Sequence, residues 1–311
     1  MEPTHESVLT DEVLTALAVK PSDVVVDATI GGAGHFARLF AALGVDGTLI
    51  GIDADPAAAE RARQVVAAGK RPSRPIVHIV NDNFRNLVRI LDRLHIGAID
   101  KALFDLGWSA YQLASGRGFS FGNDEPLLMT YGEDGIRAAD IVNTAREREL
   151  ADLLYAYGEE RFSRQIARAI VAKRARSRIL TTKDLVDAVS QGTPSWYGRR
   201  KIHPATKTFQ ALRIAVNDEL DALREGLATA IARLAPRGRI AVITFHSIED
   251  RIVKSAFREA SYAGHGLASK KPVTAGEAEL LRNRRARSAK LRVFEKNGTR
   301  LASSVPAITY V

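Results

Sequence analysis

The chain has 311 residues, 46% of them apolar, no cysteine, and 45 basic against 36 acidic side chains for a net charge of +9. The length supports one large domain or two ordinary ones. The lack of cysteine excludes disulfides, thiolate metal sites and a cysteine nucleophile, and points to the cytoplasm. No apolar run reaches the roughly 18–20 residues that a membrane span needs, and the positive balance suggests a phosphate-rich partner.

The N-terminal stretch MEPTHESVLTDEVL is acidic and polar, which fits neither a signal nor a transit peptide. Residues 23–27 predict a strand, followed by a turn holding Gly31, Gly32 and Gly34. GHFARLFAALG then has helical spacing up to Gly44. TLIGID at 48–53 predicts a second strand ending in Asp53, and a helix opens at Pro56, which suits a first turn. IVHIV at 76–80 is a third strand, FRNLVRILDRLH a helix, and AIDKALFDLG holds a fourth strand ending near Asp105. Strands alternating with helices imply an α/β, Rossmann-like, mostly parallel sheet covered on both faces.

The alternation stops at about residue 112. ADIVNTAREREL, ADLLYAYG, EERFSRQIARAIVAKRA and TTKDLVDAVS all have helical spacing, the last with a threonine cap. Residues 112–200 are therefore expected to form an all-helical insertion between two parts of the sheet domain, 1–111 and 201–311. Phe209, Leu212, Val216, Leu220, Leu223, Leu227, Ile231 and Leu234 then recur at three and four, which predicts one long amphipathic helix ended by Pro236-Arg237-Gly238. RIAVITF at 239–245 is a buried strand and EDRIVKSAFREA a helix. A loop covers 261–272, and AKLRVFEK and SVPAITYV are expected to supply one or two edge strands. No internal repeat is present.

Chemistry concentrates at the strand ends. A glycine turn between the first strand and first helix lets a ligand approach the backbone and the free N–H groups of the helix. Asp53, nineteen residues after Gly34, stands where a carboxylate binds ribose hydroxyls. This geometry suits a dinucleotide or S-adenosylmethionine. Two features favour S-adenosylmethionine: Asp27 ends the first strand, and the G-x-G-x-x-G spacing fails because position 37 is alanine. Asn81-Asp82-Asn83-Phe84 closes the third strand with polar groups and an aromatic ring that could hold an adenine. Asp105 ends the fourth strand at the carboxyl edge, where open α/β sheets bind ligands.

Basic residues cluster twice. Arg161, Arg164 and Arg168 share one helix face, followed by Lys173, Arg174, Arg176 and Arg178. Arg282, Arg284, Arg285, Arg287, Lys290 and Arg292 crowd a second segment. Each alone reads as solvated surface; together they point to nucleic acid.

HESVL, DATIGGAGH, GIDADP, FDLGWSAYQL, RGFSF, YGEERFSRQIARAI, KIHPATKTFQALRIAVNDEL, TFHSIEDRIVK and RNRRARSAKLRV follow one another in an order that closely resembles the bacterial 16S ribosomal RNA cytosine-N4 methyltransferases. The resemblance spans nearly the whole chain. It implies a class I S-adenosylmethionine-dependent methyltransferase with a helical substrate-recognition insertion, acting on the exocyclic amine of a decoding-centre cytidine, position 1402 in the usual RNA numbering. The expected partner is 16S rRNA in the small ribosomal subunit.

Carried over by motif, Ala33, Gly34 and His35 would line the methionine end of the cofactor, with Gly31 and Gly32 clearing space beside them. Asp53 would meet the ribose and Phe84 the adenine, and Asp105 and Gln112 would complete the pocket. Amino-methyltransferases often polarise the amine with an Asp/Asn-Pro-Pro-aromatic stretch; here the fourth strand carries Asp105-Leu106-Gly107-Trp108 instead. Asp105 is expected to orient the cofactor or the amine, with Asn217 or His246 supplying a second polar contact. The alternative for His246 is a hydrogen-bonded residue at a strand end. Arg161, Arg164, Arg168, Arg284, Arg285, Arg287 and Lys290 are expected to hold RNA, and no metal is expected.

The chain departs from the family pattern in two places. Pro126-Leu127-Leu128-Met129-Thr130-Tyr131-Gly132 stands where the family reads close to P-L-D-M-R-M-D. Trp108, Ala110 and Tyr111 stand where smaller residues, serine and proline are usual. The departures leave open a related enzyme with a shifted RNA target. A nicotinamide-dependent oxidoreductase and a non-catalytic RNA-binding or assembly protein are the remaining readings.

Overall fold

The computed structural model describes residues 6–69, 74–132, 135–200 and 202–298. The strand expected at SVPAITYV, together with His5 and Lys201 of the quoted motifs, lies outside them. In chain order the larger elements are α1 (Thr10–Leu17), β1 (Val24–Asp27), α2 (Gly34–Ala42), β2 (Thr48–Asp53), α3 (Pro56–Ala68), β3 (Ile76–Asn81), α4 (Leu87–Arg93) and β4 (Ile99–Asp105). A short α5 (Ala110–Leu113) leads to α6 (Ala138–Thr144), α7 (Glu147–Gly158), α8 (Ser163–Arg174) and α9 (Thr182–Gln191). Then come α10 (Thr206–Asn217), α11 (Glu219–Arg233), β5 (Leu234–Thr244), α12 (Ser247–Tyr262), β6 (Gly266–Ala268), α13 (Glu277–Arg282) and β7 (Lys290–Lys296).

The strands form one sheet in the order β3-β2-β1-β4-β5-β7-β6. β1 to β5 pair parallel, and β7 joins antiparallel to β5 and β6. Alternation along each strand sends neighbours to opposite faces. Val26, Ile50, Ile52, Phe104 and Val242 pack under α4, α11 and α12, whereas Val25, Leu49, Leu103 and Ile243 pack under α1, α2 and α3. With both faces covered, the strands read as unbroken apolar runs. The chain reverses direction across the sheet between β1 and β4, so their carboxyl ends diverge into a crevice. Asp27, Asp53 and Asp105, the last residues of β1, β2 and β4, gather at that edge.

A separate apolar cluster joins α6 to α9 through Leu150, Leu154, Ile166, Ile170, Leu185 and Val189. It continues past residue 200, taking in Ala205, Phe209, Ala211 and Leu212. The single helix expected over 209–234 is two helices. Asp218 adopts a left-handed conformation with φ 49° and breaks it, a conformation that aspartate tolerates better than most residues. Arg85 ion-pairs with Asp218 at 2.8 Å and with Glu225 at 3.0 Å, holding the break from the sheet side. The apolar period runs through the break because α10 gives its stripe to the helical unit and α11 gives its own to the sheet. The last turn expected around Pro236 is already part of β5, which pairs with β4 from Leu234.

Candidate active site at the carboxyl edge of the sheet

The turn after β1 is tied down from several sides. Gly31 takes φ +52°, a conformation that costs glycine little. Its N–H donates to Asp53 Oδ2 at 2.8 Å, while Arg61 Nε donates to its carbonyl at 2.9 Å. Across the crevice the Asp105 N–H donates to Thr29 Oγ1 at 2.6 Å. These bonds fix the floor of a cleft. Thr29, Gly31, Asp53, Phe84, Asp105 and Gln112 line it together with Tyr131, Asn217, Glu219 and Glu249.

The sequence-predicted residues divide. Gly31, Asp53, Phe84, Asp105, Gln112 and Asn217 border the cleft; Gly32, Ala33, Gly34, His35 and His246 stand behind its wall. Ala33, at φ 62°, turns the chain into α2. A side chain at position 34 would lie 2.1 Å from Ser7 Oγ, so this glycine makes room for the N-terminal segment. His35 is buried with Nε2 3.6 Å from Asp105 Oδ2 and without a hydrogen-bond partner, so it reaches the site through Asp105. Burial holds its basicity below the ordinary histidine value, although Asp105 opposes the shift.

Asp53 is enclosed. Its Oδ1 accepts from the Asp55 N–H at 2.8 Å and its Oδ2 from Gly31, yet burial pushes its carboxyl up to about 6. Asp105 is less engaged: Gly107 N–H lies 3.4 Å from Oδ1. Burial raises its pKa, against the pull of His35 and Arg285. Asp27, whose Oδ2 lacks a partner, is raised further by its complete burial. Phe84 lies edge-on to Phe104, with centroids 5.5 Å apart at 88°, and fits against α11 because position 226 is glycine.

Asn217 does not offer free polar atoms. Its Nδ2 donates to Met129 and Arg213 carbonyls at 2.7 and 3.0 Å, and its Oδ1 accepts from Tyr131 N–H at 3.0 Å. It clamps the 129–131 loop over the cleft. His246 caps α12: its Nδ1 accepts from Glu249 N–H at 3.3 Å and its Nε2 lies 3.0 Å from Glu249 Oε1. Gln112 likewise closes a capping box with Ser109.

Thr29, Glu219 and Glu249 also line the cleft although the sequence reading does not single them out, and Tyr131 stands out there only as a departure from the family pattern. Glu249 stands three residues after a polar N-cap and reads as an ordinary capping-box glutamate; its Oε2 does accept from Phe245 N–H at 2.9 Å. Glu219 and Tyr131 belong to a network that explains the unusual residues. Tyr131 Oη donates to Glu219 Oε1 at 2.6 Å, and Arg213 Nη2 donates to Glu219 Oε2 at 2.7 Å. The Arg213 guanidinium lies 4.7 Å over the Trp108 ring, and Tyr131 stacks on Phe119 at 5.7 Å. Trp108 and Tyr131 are thus the two ends of one network. Tyr111 is likewise taken up, under Arg61 at 4.4 Å.

The basic residues are also sorted by the fold. Arg164, Arg284 and Arg287 are exposed. Arg161 is exposed and lies over aromatic rings, and Arg168 approaches Glu147 at 3.8 Å. Lys290 pairs with Asp250 at 3.2 Å beside Arg292, which contacts the same carboxylate at 2.6 Å. Lys173 faces Asp184 and Asp187, and Arg174 donates to the carbonyls of Val142 and Ala145. Lys290, Lys173 and Arg174 each have partners within the protein. Arg285 is half-buried, within electrostatic reach of Asp105. No group of three or more potential metal ligands occurs among the described residues, and no helix among them is long and apolar enough to cross a membrane.

A parallel sheet with this strand order, a glycine turn after β1 and carboxylates at the ends of β2 and β4 defines a class I S-adenosylmethionine-dependent methyltransferase. The residues fit the cofactor: a carboxylate at the β2 end, an aromatic ring at Phe84 and the left-handed Gly31 turn border one cleft. The chain belongs to the MraW methylase family, whose model matches residues 2–297. It is 46% identical over 294 residues to the ribosomal RNA small subunit methyltransferase H of Deinococcus radiodurans, covering 94% of this chain and 90% of that protein. The protein of the same name from Deinococcus deserti is 47% identical over 293 residues, covering 94% and 93%. That from Brevibacillus brevis is 43% identical over 310 residues, covering 94% and 98%.

Proposed function

We propose that this protein transfers the methyl group of S-adenosylmethionine to the exocyclic N4 of a cytidine in the decoding centre of 16S rRNA, position 1402, within the small ribosomal subunit. The observation that carries the reading is the cleft at the carboxyl edge of the sheet, lined by Asp53 and Phe84 and by the acidic groups of Asp105, Glu219 and Glu249. The names of the relatives supply the rRNA substrate.

In this reading Asp53 takes the ribose hydroxyls, Phe84 packs on the adenine, and Gly31 borders the cofactor chain. The cofactor supplies an electrophilic methyl on a sulfonium. Cytosine N4 is a poor nucleophile because its lone pair is delocalised into the ring, so it needs an acceptor for its hydrogens and a fixed approach. Asp105 supplies both. Its carboxylate has the fewest internal contacts of the cleft acids, and its raised basicity suits it to hold the proton that N4 sheds as the C–N bond forms. Glu219 is tied up by Tyr131 and Arg213, and Glu249 by the backbone of α12. His35 lies behind Asp105, its Nε2 3.6 Å from Oδ2. The base enters from an unstacked strand, gripped at its phosphates by Arg164, Arg168, Arg284 and Arg287, with Arg285 nearer the site.

The test is methylation of small subunits from a strain lacking the modification, read by nucleoside mass spectrometry. N4-methylcytidine mapped to the decoding centre is the expected result. Cofactor binding with no transfer to that position would transfer the assignment to another RNA target, a second reading that the altered 126–132 loop favours.

A further inference from the structure

One exposed aromatic cluster lies outside the cleft. At the α7–α8 corner Arg161 sits in an elbow of two rings, 4.6 Å from the Phe162 centroid and 4.8 Å from that of Trp196. Trp196 is 46% exposed, so part of its indole face is open to solvent. Phe162 meets Trp196 edge-on at 5.8 Å and Tyr197 at 4.9 Å.

The cluster is rigidly built. Glu160 is fully buried, accepting from Tyr197 Oη at 2.8 Å with one carboxylate oxygen and from Phe162 N–H at 2.8 Å with the other. A buried carboxylate needs such partners, and here they lock the 195–199 turn to the α7–α8 corner. Arg164 and Arg168 continue from it along α8, and Arg199 and Arg200 flank the turn. The corner is also tied to α12. Glu159 accepts from Ser247 Oγ and Arg251 at 2.5 Å each, and Ser247 opens α12, whose Glu249 lines the cleft.

We infer that Trp196, with Arg161 and Phe162 behind it, is a stacking platform for an unpaired base of the RNA substrate. An exposed indole backed by a guanidinium and bordered by arginines offers a flat face to any base and positive charge to its phosphate, the combination that binds single strands without reading sequence. A paired helix would hide its base faces, so the platform selects for unstacked RNA. The inference rests on the RNA-methyltransferase reading above and adds to it a place where a second, unpaired base is held.

Only Trp108 and Trp196 emit as tryptophan in this chain, which makes the test direct. The probe is a single-stranded oligoribonucleotide of about 12 nucleotides with a central cytidine, compared with the same sequence in a duplex. The single strand is expected to quench emission, the duplex is not, and Trp196→Phe removes the quench. Trp196→Ala is expected to weaken single-strand affinity about tenfold, since stacking contributes about 1–3 kcal/mol per base, and to raise KM for small subunits while kcat stays within about twofold. S-adenosylmethionine affinity by calorimetry confirms that the variant is folded. Subunits methylated with unchanged KM by Trp196→Ala, or a quench that survives in Trp196→Phe, overturns the platform and leaves the enzyme reading standing. Emission that follows protein concentration instead of RNA assigns the patch to a second copy and also overturns it. Failure of the unaltered protein both to methylate subunits and to bind RNA overturns the enzyme reading and the platform together.

Discussion

Gly226→Ala sets two effects of known size against each other. Position 226 is in the middle of α11, where alanine is intrinsically favoured over glycine by about 1 kcal/mol. The added Cβ, however, would lie 2.7 Å from Phe84 Cδ2, 3.3 Å from the Phe84 carbonyl and 3.4 Å from Phe104 Cε1. Normal contact is about 3.5–4.0 Å, so the Phe84 ring must move by close to an ångström. Phe104 is fully buried and blocks it edge-on, which leaves the cleft as the only open direction. Overpacking of this kind costs about 1–3 kcal/mol. Net stability is therefore expected to fall by no more than about 2 kcal/mol in urea denaturation. The displaced ring should meanwhile narrow the nucleoside end of the cleft, raising the Kd for S-adenosylmethionine tenfold or more by calorimetry. A variant stabilised by about 1 kcal/mol with unchanged cofactor affinity would refute the reasoning, because Phe84 would then be neither confined nor part of the cofactor wall.

Asp105→Asn keeps the shape but removes the proton acceptor, and a rate loss of about 10²–10⁴ in kcat with little change in cofactor Kd is expected; near-normal turnover would remove Asp105 from the mechanism. Asp53, pushed up to about 6 by burial, must be ionised to serve as a pure acceptor for ribose hydroxyls, so cofactor affinity should fall as pH drops below about 6, and in Asp53→Asn this dependence should vanish. The same shift has a stability sign opposite to that of a salt-bridged aspartate. The folded state holds its proton more tightly, so this group lowers stability as pH rises from about 4 to about 6, by up to about 3 kcal/mol; a pH series of urea midpoints for the unaltered protein and Asp53→Asn checks it. Lys290→Ala should lower the melting temperature by loosening the Asp250 contact and leave the salt dependence of RNA binding unchanged, whereas Arg284→Ala and Arg287→Ala should each flatten the log Kd against log salt slope by about 1.

The sheet and its ligand edge were legible in the chain because local patterns determine them. Apolar runs ending in Asp27, Asp53 and Asp105 mark buried parallel strands whose last residues must sit at one rim, and Gly31 reports a left-handed turn that few other residues adopt. The helical insertion was legible for the same reason, since four amphipathic segments without a strand between them can bury their stripes only against one another. What tertiary structure alone decided is which polar atoms remain available. Gly34 looks like Gly31 in sequence but faces Ser7, and His35 reaches the site only through Asp105. Asn217 and Lys290 look available, yet Asn217 is held by a carbonyl 88 residues away and Lys290 faces a carboxylate 40 residues away. Glu249 reads as a helix cap and also borders the cleft, and Trp108 and Tyr131 are oddities until Arg213 and Glu219 join them. Periodicity and turn chemistry are carried by neighbours within a few residues. The satisfaction of a side chain by a distant partner is set by packing, and no local window of sequence contains it.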